Sequence, residues 1–373
     1  MLDPCTVGKN IRKHREINNL TQQELSSKLF VSFQAVSAWE RGLALPDLEN
    51  TAKLASLFNV PVDSLLYDGG AELFAAVDGG GTKTEFILFD KEGFVKKRLV
   101  LGASNPNDVG LDSSVDLLIR GLNELFSSTP AKYVFCGIAG ATAGDNKAVI
   151  QKRLSDYYGI PVAVDTDAIN TLCLGHDVGN TASVICGTGS CVFVRKDYRL
   201  TRIGGWGYLF DRAGSGYDIG NAAIRHALAV LDGIDKPTAL SQLVNEKLGG
   251  DVWKKLSEIY EKGKPYIASF APLVEQAASL GDTTSITILK NNAQRLAELI
   301  TLARYKHGAP DTLVCSGGFF KNTAFKQMVE AAAGVNLFYS QMPAVYGAAV
   351  ECLRLNGIKA DDIIKNNFKE SYR

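Results

Sequence analysis

The sequence predicts an α/β protein: a small all-helical N-terminal unit followed by a larger domain of two related lobes. Three observations carry this. Five short stretches with helical apolar spacing and cap residues fill the first 66 residues. An apolar run, a glycine turn carrying hydroxyls and a second apolar run occur twice, at Leu73–Asp90 and at Ala182–Val194. Strand and helix patterns then alternate after each hairpin, as in a mixed sheet flanked by helices.

Val7, Ile11, Ile17 and Leu20 set an apolar face through the polar run Gly8 to Glu16, the first helix. Thr21 and Glu24 stand at capping-box spacing and start a second, whose buried side continues through Leu25 and Leu29. Ser32 begins a third, Phe33 to Arg41, which Gly42 stops. A fourth follows Pro46-Asp47 with Leu48, Leu54, Ala55, Leu57 and Phe58 apolar, and Val62 to Leu66 makes a fifth turn.

Leu20-Thr21-Gln22-Gln23-Glu24-Leu25, Val31-Ser32, Gln34 to Gly42, Pro46-Asp47 and Leu65-Leu66 together resemble the Cro/CI (xenobiotic response element) helix-turn-helix family nearly end to end. The resemblance implies that helix three, entered through Ser32, lies in the major groove of a double-stranded operator. Gln34 and Ser37 then meet base edges and Phe33 a thymine methyl. Gln22, Arg41 and some of Lys9, Arg12 and Lys13 would hold phosphates. Seven positive charges face eight negative ones here, so the module is not basic overall. A homodimer on a two-fold operator is therefore expected, and the alternative is an interaction module without DNA. Residues 1–67 form this domain and Asp68 to Ala71 a short linker, one that transmits motion rather than absorbing it.

Beyond the linker, Val95 to Val100 suggests a third strand and Gly102 to Asn107 a polar loop. Val115, Leu118, Ile119, Leu122 and Leu125 share one helical face. Tyr133 to Gly140 reads as a buried strand ending in glycine, then comes a helix near 145–157 and the strand Pro161 to Asp165. After the second hairpin, helices dominate from 216 to 307, the strand Thr312 to Cys315 leads into Gly317-Gly318, and Pro343 to Val350 opens the final helix. Glycine lets backbone N–H groups approach an anion closely, and Thr or Ser adds donors. One such turn is only a tight hairpin; two, with a third at Cys315 to Phe319, point to nucleotide phosphates.

Val77 to Thr84, Ser104 to Asn107, Thr166-Asp167-Ala168, Gly187 to Ser190, Gly204 to Gly207, Gly214 to Gly220, Ser316-Gly317-Gly318 and Ala344 to Ala349 occur in the order found in N-acetylglucosamine kinase. The chain resembles that family, with the ATPases that activate benzoyl-CoA reductase, within the actin-like ATPase and sugar-kinase superfamily. The resemblance implies an actin-like, ribonuclease H-like sugar-kinase fold with lobes at 72–164 and 165–373 and the last helix packing back on the first lobe. It also implies ATP and Mg2+ in the cleft and an amino sugar or sugar phosphate as ligand. Gly80, Gly81, Thr82 and Lys83 with Gly187, Thr188, Gly189 and Ser190 would hold phosphates, Gly317 and Gly318 the adenosine, and Asp78 a magnesium-bound water. Asn105, Gly205, Trp206 and Gly207 would line the sugar site, and Asp167 would stand near the phosphates. Each has a structural alternative: Asp78 as a cap of its own turn, Trp206 as a core aromatic, Asn105 as a turn former.

Two positions depart from that pattern. The kinases carry an acceptor-side Asp where this chain has Thr142, and Asp-Glu where it has Arg212-Ala213. Thr takes no proton at neutral pH, so an acid–base contribution of about 10²- to 10⁴-fold is lost unless another group substitutes. Asp145, Asp167 and Asp211 are the nearby candidates, of which Asp145 and Asp211 are out of register. The expected function is a DNA-binding transcriptional regulator whose kinase-like domain senses ATP and an amino sugar. The alternatives are an active amino-sugar kinase with a DNA-binding arm and an activating ATPase, which would need cluster-ligating cysteines.

Composition fits these readings. Forty basic and forty acidic residues cancel, so no global field draws the chain to nucleic acid or membrane, and DNA binding must be local. The seven cysteines are scattered without a C-x-x-C pair, which argues against a disulfide framework or a zinc ribbon, and four dispersed histidines make no metal cluster. No apolar run approaches membrane-spanning length, so the chain is expected in the cytoplasm.

Overall fold

The computed structural model describes residues 2–66, 72–126, 130–175, 177–211 and 214–373; the expected linker Asp68 to Ala71 lies outside them. The N-terminal unit is α1 (Pro4–Ile17), α2 (Gln22–Leu29), α3 (Phe33–Glu40), α4 (Leu48–Phe58) and α5 (Asp63–Leu66). Its ends are set by the side chains expected to set them. Both bonds of the Thr21–Glu24 capping box form, Ser32 Oγ accepts the Ala35 N–H, and Asp47 caps α4. Val7, Ile11, Leu25, Leu29, Val36, Trp39, Leu54, Phe58 and Leu65 make its core. Arg15 Nε bonds Glu40 Oε1 at 2.6 Å with both side chains nearly buried, which ties α1 to α3.

The first lobe contains β1 (Leu73–Gly79), β2 (Thr84–Asp90), β3 (Val95–Leu101), α6 (Pro106–Val109), α7 (Leu111–Leu125), β4 (Tyr133–Ile138), α8 (Asn146–Tyr158), β5 (Val162–Asp165) and α9 (Ala168–Leu172). Its strands lie in the order β3-β2-β1-β4-β5. β1 pairs antiparallel with β2 and parallel with β4, which places Asp78 opposite Glu85 on one side and Gly137 on the other. β2 is buried along its whole length because its alternate residues enter different cores. Phe86 and Leu88 join the cluster with α7 and α8; Ile87 and Phe89 join the one on the opposite face.

The second lobe repeats this plan. β6 (Thr181–Cys186), β7 (Ser190–Lys196) and β8 (Arg199–Gly204) form an antiparallel meander. A helical section follows: α10 (Gly216–Leu231), α11 (Ala239–Leu248), α12 (Leu256–Ala268), α13 (Ala271–Ser279) and α14 (Thr283–His307). Next come β9 (Thr312–Ser316), α15 (Thr323–Ala333), β10 (Asn336–Tyr339), α16 (Ala344–Leu355) and α17 (Asp362–Ser371). The strand order β10-β9-β6-β7-β8 mirrors that of the first sheet, with β9 parallel to β6 and β10 parallel to β9. Within α12, Gly263 adopts φ 63 and ψ −155 and Pro265 follows, so the helix is two pieces meeting at a break.

The lobes join through a shared core. α9, α16 and α17 pack Ile169, Val345, Cys352, Leu353 and Phe368 against Phe74, Ile87 and Phe135 of the first sheet, with Phe193 and Leu200 of the second partly buried beside them. Across the join, Arg195 of β7 bonds Glu351 of α16 at 2.7 and 3.0 Å, both about 95% buried, and Arg354 adds two bonds of 2.8 Å to the same carboxylate.

Three elements correct the sequence reading. β8 and β10 are strands not expected from the pattern, because β8 is a half-exposed strand rich in Arg and Thr and β10 is only four residues long. The helix opened by Pro343 is not the last, since the largely polar α17 follows it and buries Ile364 and Phe368. Six of the seven cysteines are buried or partly buried and all are free; burial pushes the Cys136 and Cys315 thiols up to about 12. Among the described residues no helix is long and apolar enough to cross a membrane.

Candidate functional site

The second glycine hairpin is the centre of the candidate site. Gly187 N–H bonds the Gly189 carbonyl at 2.9 Å and closes the turn. The start of α10 is then hooked onto it: Gly216 N–H reaches Gly187 O at 2.7 Å and Tyr217 N–H reaches Thr188 O at 3.2 Å. A Ser215–Asp218 capping box fixes that helix start. Gly317 adopts φ 100, and a Cβ there would stand 2.2 Å from the Cys186 carbonyl, so the third glycine turn also packs on the second.

Two cavities meet at this hairpin and share Gly187 and Thr188. One, of about 390 Å³, is walled by Gly216, Pro265, Pro272, Glu275, Gly318 and Phe319. Glu275 Oε1 is buried there with no hydrogen-bond partner, and burial raises its carboxyl. The other, of about 290 Å³, holds Gly189, Ser190, Gly205, Gly207, Asp211 and Lys264. Ser190 Oγ is buried and unpartnered as well. The structure therefore brings Gly187, Thr188, Gly189, Ser190, Gly205, Gly207 and Gly318 of the expected residues onto two adjoining chambers.

Asp211, a candidate out of register with the family pattern, lines the smaller chamber. Its two oxygens accept the Trp206 N–H at 3.0 Å and the Gly207 N–H at 2.9 Å, so it holds the turn in which Gly205 and Gly207 take φ of 76 and 104. Trp206 is not a core aromatic: it is 63% exposed, with the Arg202 guanidinium 4.1 Å from its ring centre. Asp145 lies elsewhere, exposed on a shallow groove along α8 with Lys147, Gln151 and Lys152. Thr142 is exposed too, and Arg212 lies outside the described residues.

On the first lobe, Gly80, Gly81, Thr82 and Lys83 form the turn between β1 and β2, closed by Gly80 N–H to Lys83 O at 3.0 Å. Lys83 Nζ lies 3.8 Å from the buried Glu85, which Arg98 also holds at 2.7 Å. Asn105 acts as a turn former: its Oδ1 accepts the Asn107 N–H and its Nδ2 donates to Asp108. Asp78 closes β1 with Oδ1 accepting from Asn170 Nδ2 at 2.6 Å. Burial lifts its carboxyl to about 6, Asn170 pulls it down, and the charges of Asp167 and Glu85 add to the rise. Burial also raises Asp167, whose charge is felt by both Asp78 and Cys191 of the second hairpin. Asp167 is thus within electrostatic reach of one residue on each hairpin.

Among the described residues no three His, Cys, Asp or Glu side chains converge to cage a metal. A half-buried carboxylate pair within electrostatic reach, beside the first glycine turn, does fit a magnesium ion held mainly by water and phosphate.

In the helical unit, Phe33 and Gln34 are exposed at the start of α3, Ser37 follows one turn on, and Arg41 is exposed past its end. Ser32 is committed to its cap. The Gln22 amide donates to Glu40 Oε2 at 2.8 Å, which uses one of its two N–H donors.

Residues 76–352 match the model of the BadF/BadG/BcrA/BcrD ATPase family. The chain belongs to this family. Ahead of the ATPase-family domain, residues 11–65 match a helix-turn-helix model. The chain is 32% identical over 259 residues to the N-acetyl-D-glucosamine kinase of Dictyostelium discoideum, covering 64% of this chain and 81% of that one. In fold it is similar to a putative N-acetylglucosamine kinase from Chromobacterium violaceum (TM-score 0.60, 23% identity, 74% of this chain and 97% of that one). It is also similar to a ROK-family transcriptional regulator, a homologue of the E. coli MLC protein (TM-score 0.52, 13% identity, 99% and 97%). Sequence reasoning missed two chamber residues of the ATPase-family domain, Lys264 and Glu275. Only the Gly263-Lys264-Pro265 break was visible as a signal for the first; Glu275 lies in an ordinary helical pattern.

Proposed function

We propose that the chain is a DNA-binding transcriptional regulator whose kinase-like domain binds ATP with magnesium and an amino sugar or sugar phosphate as a sensor. One observation supports the reading: Gly187, Thr188, Gly189, Ser190 and Gly318 line two adjoining chambers, while Thr142 stands where an acceptor-side carboxylate is expected and Asp211, in the chamber, accepts from the N–H groups of its own turn. Phosphates would rest on the N–H groups and hydroxyls of Thr82, Thr188 and Ser190, and adenosine between Gly317, Gly318 and Phe319. The sugar would sit by Gly205 and Gly207. Asp78 and Asp167 would hold the hydrated magnesium ion, which neutralises phosphate charge when bound. Closing the lobes on ligand would alter how two helix-turn-helix units of a cytoplasmic homodimer meet an operator.

The test measures ADP release from Mg-ATP with N-acetylglucosamine, N-acetylmuramic acid, glucosamine, glucose and their 6-phosphates, with thermal unfolding on the same samples. The sensor reading expects stabilisation without turnover, and a stabilising sugar that changes operator affinity. Operator DNA must then change sugar affinity by the same factor, and finding neither effect sinks the reading. A second reading, an active amino-sugar kinase with a DNA-binding arm, is favoured by the identity to the Dictyostelium kinase; sugar-dependent ADP release would establish it.

A further inference from the structure

Lys264 occupies a position that the site described so far does not use. The Gly263 break turns α12 so that consecutive residues face different chambers: Pro265 walls the larger cavity and Lys264 lines the smaller. A methyl group added to Gly189 would stand 3.7 Å from Lys264 Nζ, so the ammonium lies against the glycine hairpin itself. Lys264 is half-buried, with Nζ 5.7 Å from the centre of the Tyr208 ring, and among the described residues it forms no ion pair. The two carboxylates of the chamber bond to their own elements, Asp211 accepting from Trp206 and Gly207 and Asp218 accepting the Ser215 N–H and Oγ on Oδ2. Beside this cation Ser190 Oγ is buried and unpartnered. A cation with no carboxylate in salt-bridge contact and an unpartnered hydroxyl, beside the glycine turn, are donors that an anion can bridge.

From this geometry we infer that Lys264 is the cation that receives the outer phosphates of a nucleoside polyphosphate, and that it sets the preference for ATP and ADP over adenosine and AMP. This rests on the nucleotide reading above. Adenosine in the larger cavity reaches the smaller one only across Gly187 and Thr188, so Lys264 meets the phosphate chain and not the nucleoside. Its compact ammonium on a flexible stem suits a point contact with phosphate.

The experiment measures binding of ATP, ADP, AMP, adenosine and inorganic tripolyphosphate by calorimetry to the full chain and to its Lys264→Met and Lys264→Arg variants, at two salt concentrations. The wild type is expected to bind ATP and ADP more tightly at low salt. Lys264→Met is expected to weaken ATP and ADP about 10-fold, leave adenosine unchanged and flatten the salt dependence; Lys264→Arg is expected to retain most of the affinity. Equal losses for ATP and adenosine, or no loss, overturn the assignment while leaving the nucleotide site in place. If the wild type binds neither nucleotide nor tripolyphosphate, the nucleotide reading falls and the assignment with it. Unchanged ligand-free unfolding of both variants separates the effect from misfolding.

Discussion

Asp78 sits where the demands of folding and of the proposed cation binding conflict. Its carboxyl is raised to about 6 by burial, so the folded chain holds a proton there that the unfolded chain releases near 4. Stability from this group is therefore fullest at low pH and is lost as pH rises from about 4 through about 6. Asp78→Asn should accordingly stabilise the ligand-free chain at pH 7.5 by up to about 3 kcal/mol, read by thermal unfolding, and should reduce the pH dependence between those values. The same variant should lose the extra stabilisation that magnesium gives in the presence of ATP. Asp78 was legible in the sequence because a carboxylate at a strand end before Gly79-Gly80-Gly81 is a local pattern. Thr188, Gly317 and Gly318 were legible because they belong to short glycine-rich turns, and at Gly317 a close backbone approach requires glycine. Lys264 and Glu275 were not, because they arrive from helices far along the chain and only packing brings them to Thr188.

Among the elements, α12 has the most to say about the site. Gly263 takes φ 63 and ψ −155, a conformation that only glycine adopts without strain. Gly263→Ala should cost about 1–3 kcal/mol in unfolding free energy, or else straighten the break and withdraw Lys264 from its chamber. The second outcome would appear as weaker ATP binding at nearly unchanged stability. The break could be suspected from the sequence, as glycine and proline two residues apart interrupt helical spacing. Elements with strong periodicity, such as α7 with its Val115, Leu118 and Leu122 stripe, were legible as helices. β8 and β10 escaped because short or half-exposed strands take their pattern from the neighbouring strand and not from a core of their own.

At the scale of the whole molecule, Glu351 holds the lobes together. Burial alone would raise its carboxyl, but hydrogen bonds from Arg354 and Arg195 hold it down to about 2. Its stabilising contribution is present above pH 4.5 and is lost as pH falls toward 2. Glu351→Ala leaves Arg195 buried without its anion and should destabilise the chain by about 3–5 kcal/mol in denaturant unfolding. The repetition of one lobe plan was visible in the paired hairpins, whereas this latch was not, because Arg195 and Glu351 lie far apart in sequence and neither belongs to a motif.

The return of α16 and α17 to the first sheet bears on how the chain is made. The face of that sheet formed by Phe74, Ile87, Phe89 and Phe135 is covered by Val345, Leu353, Ile364 and Phe368. On a ribosome the helical unit can complete its own core first, but the first lobe must wait for nearly the whole second lobe to be synthesised. At about 5–20 residues per second that interval is roughly 10–40 s. Throughout it an apolar sheet face stands open, so the nascent chain is a client for chaperones that bind exposed apolar strands. A ribosome stalled between residues 200 and 340 should therefore carry a protease-resistant helix-turn-helix unit followed by a protease-sensitive sheet.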